Sequence, residues 1–93
     1  MKITKTMALT RKMFLNTLPR ALGSDAYTVD GDEVTLRDGA RTLMVLFAEQ
    51  ATFKLGGLSV PCATVTLEFD GYTDDEIEFA FKRFDRYFHR GGG

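Results

Sequence analysis

The stretch Thr73-Asp74-Asp75-Glu76-Ile77-Glu78-Phe79-Ala80-Phe81-Lys82-Arg83-Phe84-Asp85-Arg86-Tyr87-Phe88 decides the fold. Within it Ile77, Ala80, Phe81, Phe84, Tyr87 and Phe88 recur at helical spacing, and at about 100° per residue they share an arc roughly 120° wide. Thr73 with Glu76 has the form of a capping box, so the start of the helix is marked as well as its apolar face. A helix this aromatic on one side must lie against an apolar surface, and the residues before it are expected to supply that surface as a sheet.

Those residues read mostly as strands. Ile3, Lys5, Met7 and Leu9 alternate with Lys2, Thr4, Thr6 and Ala8, which predicts a strand over 2–9 with one charged defect at Lys5. Such a strand suits a sheet edge, which Lys2 and Lys5 would guard. Thr10 reads as an N-cap, and Met13, Phe14, Leu15, Leu18 and Leu22 predict a helix over 11–22 that stops at Gly23. Pro19 has no N–H for Leu15 and is expected to end or kink this helix near Leu18. Strand signals resume at Tyr27 and Val29, with a turn at Asp30-Gly31-Asp32. Asp38-Gly39 is a hairpin signal between Val34-Thr35-Leu36-Arg37 and the run Arg41–Phe47. Residues 48–55 fit either a bulged continuation or a separate short strand, broken by Gly56-Gly57. Ala63–Phe69 alternates cleanly, with Val65, Leu67 and Phe69 inward.

The predicted class is therefore α+β: an antiparallel sheet of about five strands with two helices on one face, in the order β-α-β-β-β-β-α. This element order resembles the layout of TATA-binding-protein-like and helix-grip folds, in which a sheet wraps a long C-terminal helix. Residues 1–90 are expected to form one domain, with 91–93 as a flexible glycine tail.

Composition bounds the function. The 93 residues, 44% hydrophobic and 12% aromatic, can fill one core without disulfides or metal. A net charge of −1 provides no global attraction for nucleic acid or an anionic membrane. Cys62 is the only cysteine, which excludes an intramolecular disulfide and suits a reducing cytoplasm. Met1–Thr6 is too polar for the apolar region of a signal peptide, and no run approaches the roughly 20 apolar residues of a membrane helix.

Candidate sites are few. Lys82, Arg83, Arg86 and Arg90 lie opposite the aromatic stripe, with Phe79 among them. Cations around an exposed aromatic can hold an acidic protein or a nucleic acid, although a solvated face with dipole-matched charges is the simpler explanation. The ending Arg90-Gly91-Gly92-Gly93 resembles the Gly-Gly termini of ubiquitin-like modifiers and sulfur carriers, whose tails react through the terminal carboxylate. Phe14, Leu18, Phe47, Phe53, Phe69, Phe81 and Phe84 could line an apolar cavity or simply fill a core. Cys62 reads as a small buried hydrophobe and His89 as a surface residue. Asp30, Asp32, Glu33 and Asp38 read as turn formers. One histidine and one cysteine are too few for a closed transition-metal site, and no catalytic motif is present, so no metal, cofactor or catalytic residue is assigned. The expected function is a small non-catalytic binding or interaction module of the cytoplasm. Its partner would be a protein or a small apolar ligand rather than a nucleic acid or a membrane. An adaptor using the basic helix face and a carrier using the glycine tail are the alternatives.

Overall fold

The computed structural model describes residues 1–50 and 53–89. The chain forms β1 (Lys2–Met7), α1 (Arg11–Leu22), β2 (Thr28–Asp30), β3 (Glu33–Asp38), β4 (Arg41–Glu49), β5 (Phe53–Leu55), β6 (Leu58–Val60), β7 (Ala63–Asp70) and α2 (Asp74–His89). Five strands make one antiparallel sheet in the order β1-β7-β4-β3-β2, with both helices on one face. The expected α+β architecture and its element order are present. The ambiguous stretch 48–55 resolves into both alternatives: β4 runs on to Glu49, and β5 pairs separately with β6 as a short hairpin between β4 and β7.

The core follows from period two on the sheet and period 3.6 on the helices. Val34, Leu36, Leu43, Val45, Phe47, Ala63, Val65, Leu67 and Phe69 point inward from the strands and are buried. Ile77, Phe84 and Phe88 meet them from α2, while Phe14, Leu18, Ala21 and Leu22 do so from α1. Ala80 and Tyr87, the flanks of the stripe, are half-buried against the same cluster, and Phe81 is also half-buried. Each fully buried aliphatic or aromatic side chain contributes roughly 1.5–3 kcal/mol. No polar side chain among the described residues shares this interior.

Among the described residues the aromatic rings of the core close on one another. Phe14 lies 4.8 Å from Phe47 and 5.6 Å from Phe88 between centroids, and Phe84 lies 4.5 Å from Phe88. Phe14, Leu18, Phe47, Phe69 and Phe84 are therefore core, and the small gap that Phe14 and Phe47 border has no room for a water molecule; the side chain of Phe53 lies outside the described residues. Cys62 also departs from expectation. It is half-buried between β6 and β7, where its carbonyl accepts the Gln50 N–H at 2.8 Å.

Pro19 neither ends α1 nor shortens it. The last turn continues to Leu22 because Ala21 and Leu22 are buried and the C-terminal carbonyls find donors. The N–H of Gly23 donates to Arg20 O (3.3 Å), and that of Ser24 to Pro19 O (3.1 Å). Gly23 supplies the left-handed residue that this stop requires, with φ of 69°. At the other end Thr10 caps Met13 N–H through its hydroxyl (3.2 Å).

The charged defect in β1, which ends at Met7 instead of Leu9, has a structural role. Mutual hydrogen bonds between Met1 and Phe69 set the ladder, so the odd residues of β1 face β7 and the backbone groups of Lys2, Thr4 and Thr6 face away from the sheet. This is an open edge. Lys5 points inward at that edge, bonds Asp85 of α2 and lies over the Phe81 ring, 5.4 Å from its centroid. An inward charge on an edge strand discourages a second strand from adding. Lys5→Ile is expected to cause concentration-dependent self-association relative to the parent chain in sedimentation velocity. Unchanged sedimentation across the same concentrations would contradict that role.

Candidate functional site

The two helices run antiparallel across the sheet, with Phe14 of α1 beside Phe88 of α2 and the end of α1 beside Arg83. Helix α1 has 12 residues and α2 has 16. Past Gly23 the chain leaves the helical layer for β2, while the first two turns of α2 continue over the tip of the β3–β4 hairpin. A cleft of about 560 Å³ opens there. Leu22, Leu36, Leu43 and Ala80 form its apolar part, and Tyr72 and Phe79 supply aromatic surface. Charged groups from three elements complete it: Arg37 and Asp38 on β3, Arg41 on β4, and Asp75, Glu76 and Arg83 on α2.

Local sequence builds the walls. The capping box is formed as expected: Thr73 N–H donates to Glu76 Oε1 (2.8 Å), and Glu76 N–H donates to Thr73 Oγ1 (3.2 Å). The other Glu76 oxygen accepts Arg41 Nη1 at 2.7 Å, so one carboxylate both starts α2 and ties it to the sheet. Arg41 also bonds Asp38 and lies 5.2 Å from the Tyr72 ring centroid. Burial raises the Tyr72 phenol pKa, with Arg41 opposing the shift. Gly71 (φ 79°) lets the carbonyl of Ala40 pass where a Cβ would stand 2.4 Å away, which seats the hairpin tip under the start of α2.

The proposed basic face is divided by this arrangement. Arg83 turns toward α1: its Nη2 donates to Leu22 O at 3.0 Å, placing a cation on the negative end of the α1 dipole. Its guanidinium covers Gly23 so closely that a Cβ there would lie 2.4 Å from Nη1. The Phe79 ring, 67% exposed, flanks it with the centroid 5.3 Å from Cζ. The Arg83 Nε is buried and has no hydrogen-bond partner among the described residues. Lys82 is exposed and pairs with Glu78 at 2.8 Å, which holds the Glu78 carboxyl below its ordinary value. Arg86 is exposed. Arg90 and the glycine tail lie outside the described residues, as does the side chain of His89. The structure thus brings Phe79 and Arg83 to the cleft and leaves Lys82 and Arg86 outside it.

Leu22, Arg37, Arg41 and Tyr72 escaped the sequence reading as site residues. Their signal was indirect: the Asp38-Gly39 and Asp70-Gly71 turns fall at the same end of the β4–β7 ladder, where Thr42 pairs with Asp70. Among the described residues, no cluster of His, Cys, Asp and Glu is arranged to hold a metal ion, and no helix is long and apolar enough to cross a membrane. The acidic turn residues Asp32 and Asp38 bond Arg11 and Arg41.

Two outcomes are expected. Gly23→Ala places a side chain at positive φ and against Arg83, costing at least about 1 kcal/mol in urea unfolding. Part of that cost disappears in an Arg83→Ala background; full additivity would contradict the contact. The Glu76 carboxyl is held below its ordinary value of 4.5, first by the Thr73 N–H and further by the Thr73 hydroxyl and Arg41, against desolvation. Its stabilisation is therefore present above 4.5 and lost as pH falls through the lower folded value. Thermal melts between about pH 5 and pH 3 should fall less steeply for Glu76→Gln than for the parent chain.

The chain matches no protein-family model, no curated protein and no solved structure.

Proposed function

We propose that this chain is a small non-catalytic binding module that takes a small ligand with an apolar body in the cleft between the end of α1, the start of α2 and the β3–β4 hairpin. The cleft itself carries the reading. Its volume of about 560 Å³ falls in the ordinary range for small-molecule sites, roughly 300–1,000 Å³. Its make-up, an apolar floor with aromatic surface and a few convergent polar groups, is the usual one for such sites. The exposed Phe79 ring at its mouth is a large apolar group with no packing duty in the core. The single cysteine suits a reducing cytoplasm as the compartment.

An adaptor reading through the basic face of α2 has less support. Arg83 turns away from that face toward α1 and the cleft, and Lys82 pairs with Glu78, which leaves Arg86 as the exposed cation without a partner among the described residues of that face. One cation is a poor match for a polyanion, whose binding strength grows with the number of phosphates neutralised.

Amide chemical-shift titration with small aromatic and aliphatic compounds tests the proposal. Saturable shifts are expected at Leu22, Gly23, Leu36, Tyr72, Phe79 and Ala80, and Phe79→Ala should weaken them while leaving the thermal midpoint nearly unchanged. Absence of saturable shifts at these amides would overturn it. Shifts confined to Lys82 and Arg86 on adding heparin would instead favour the adaptor.

A further inference from the structure

Resting on that reading, we infer that the ligand of the cleft carries a carboxylate or a similar single anionic head, held at the mouth by Arg37 and Arg83 while its apolar body lies against Leu22, Leu36, Leu43 and Phe79. Three arginines and three acids line the cleft, so their total charge does not select an anion. The pairing among them does. Both oxygens of Glu76 are occupied, one by the Thr73 N–H and one by Arg41. Asp38 is occupied by Arg41 as well. Arg41 is thereby neutralised by two carboxylates and held beside Tyr72.

Arg37 and Arg83 are different. Arg37 is exposed on β3 and makes no ion pair or side-chain hydrogen bond among the described residues. Arg37 leaves β3 on the face opposite inward Leu36, but β2 begins at Thr28, opposite Thr35, so β3 has an open edge at Arg37, and the residue borders the cleft there. Arg83 has no carboxylate partner either. Among the described residues its guanidinium donates to a neutral carbonyl, Leu22 O, which leaves its charge unpaired; the Nε is buried and takes no part at the mouth. A guanidinium presents five donors in a rigid fork and favours carboxylate geometry. Among the described residues Asp75 is the one acid of the cleft with no ion pair, and it sits in the first turn of α2, where the helix dipole already stabilises it. Among the described residues, two cations and one anion of the cleft have no oppositely charged partner. The apolar lining beneath them suits an aryl or alkyl group of modest size.

A matched series separates the anion from the cleft: 3-phenylpropionate, its uncharged amide and 3-phenylpropylamine, each titrated by amide chemical shifts into the full chain at low and high salt. The carboxylate is expected to bind at least about tenfold more tightly than the amide, as hydrogen bonds to charged groups imply. That preference should shrink with salt. Arg37→Gln, an exposed change that leaves the fold alone, should bring the carboxylate to the affinity of the amide. Phenyl phosphate added as a fourth probe distinguishes the head groups: binding tighter than phenylpropionate assigns a phosphate monoester, and weaker binding assigns a carboxylate. Equal binding of carboxylate and amide, or tightest binding of the amine, would overturn the anionic head while leaving the cleft as a binding site. No shift at the cleft amides with any probe would overturn the cleft itself.

Discussion

The sheet has one apolar face, and two helices of unequal length must share it. Most of the structure follows from that constraint. Helix α2 carries its aromatic stripe across the sheet, and α1 lies antiparallel beside it, so Phe14, Phe84 and Phe88 stack into the seam between them. The seam is sealed at one end by rings. At the other end the shorter helix runs out at Gly23, and the longer one continues alone. The cleft is the space left where a two-helix layer becomes a one-helix layer. Arg83 sits at that step, capping the helix that stops and flanked by the Phe79 ring of the helix that continues.

Charges in this protein serve as fasteners between layers more than as a surface field. Lys5 with Asp85 ties the edge strand to α2, Arg41 with Glu76 ties β4 to the start of α2, and Arg11 with Asp32 ties α1 to the β2–β3 turn. Exposed pairs of this kind add little to stability individually. Their value is positional: each fixes how a helix lies on the sheet, and buried apolar area supplies the stability. The same division explains why the cleft keeps its shape. Its apolar floor belongs to the core, and its rim is set by ion pairs that leave two guanidinium groups without carboxylate partners among the described residues.

The architecture was legible because it rests on local and periodic signals. The stripe from Ile77 to Phe88, the Thr73–Glu76 box, the Thr10 and Gly23 stops and the Asp38-Gly39 turn each act within a few residues. Side-chain partners distant in sequence were not legible. Lys5 looked like a flaw in a strand until Asp85, 80 residues away, accounted for it. Pro19 is expected by local rules to end or kink α1; the helix does not end there, because burial of Ala21 and Leu22 and Arg83 on the final carbonyl carry it to Leu22. The helical wheel placed Arg83 with the solvated cations, because a wheel shows which way a residue leaves its own helix and nothing of the neighbour that waits there. The cleft was invisible for the same reason: it depends on where α1 ends relative to α2, a comparison between elements that no single stretch encodes.

Everything proposed for the cleft depends on Arg83 closing the end of α1 over Gly23. Direct observation of arginine Nε–H resonances by NMR tests this. The Arg83 Nε–H should exchange slowly with solvent and show a nuclear Overhauser contact to the Gly23 α-protons, while the Arg86 Nε–H exchanges rapidly. An Arg83 Nε–H that exchanges as fast as that of Arg86, with no contact to Gly23, would contradict the account.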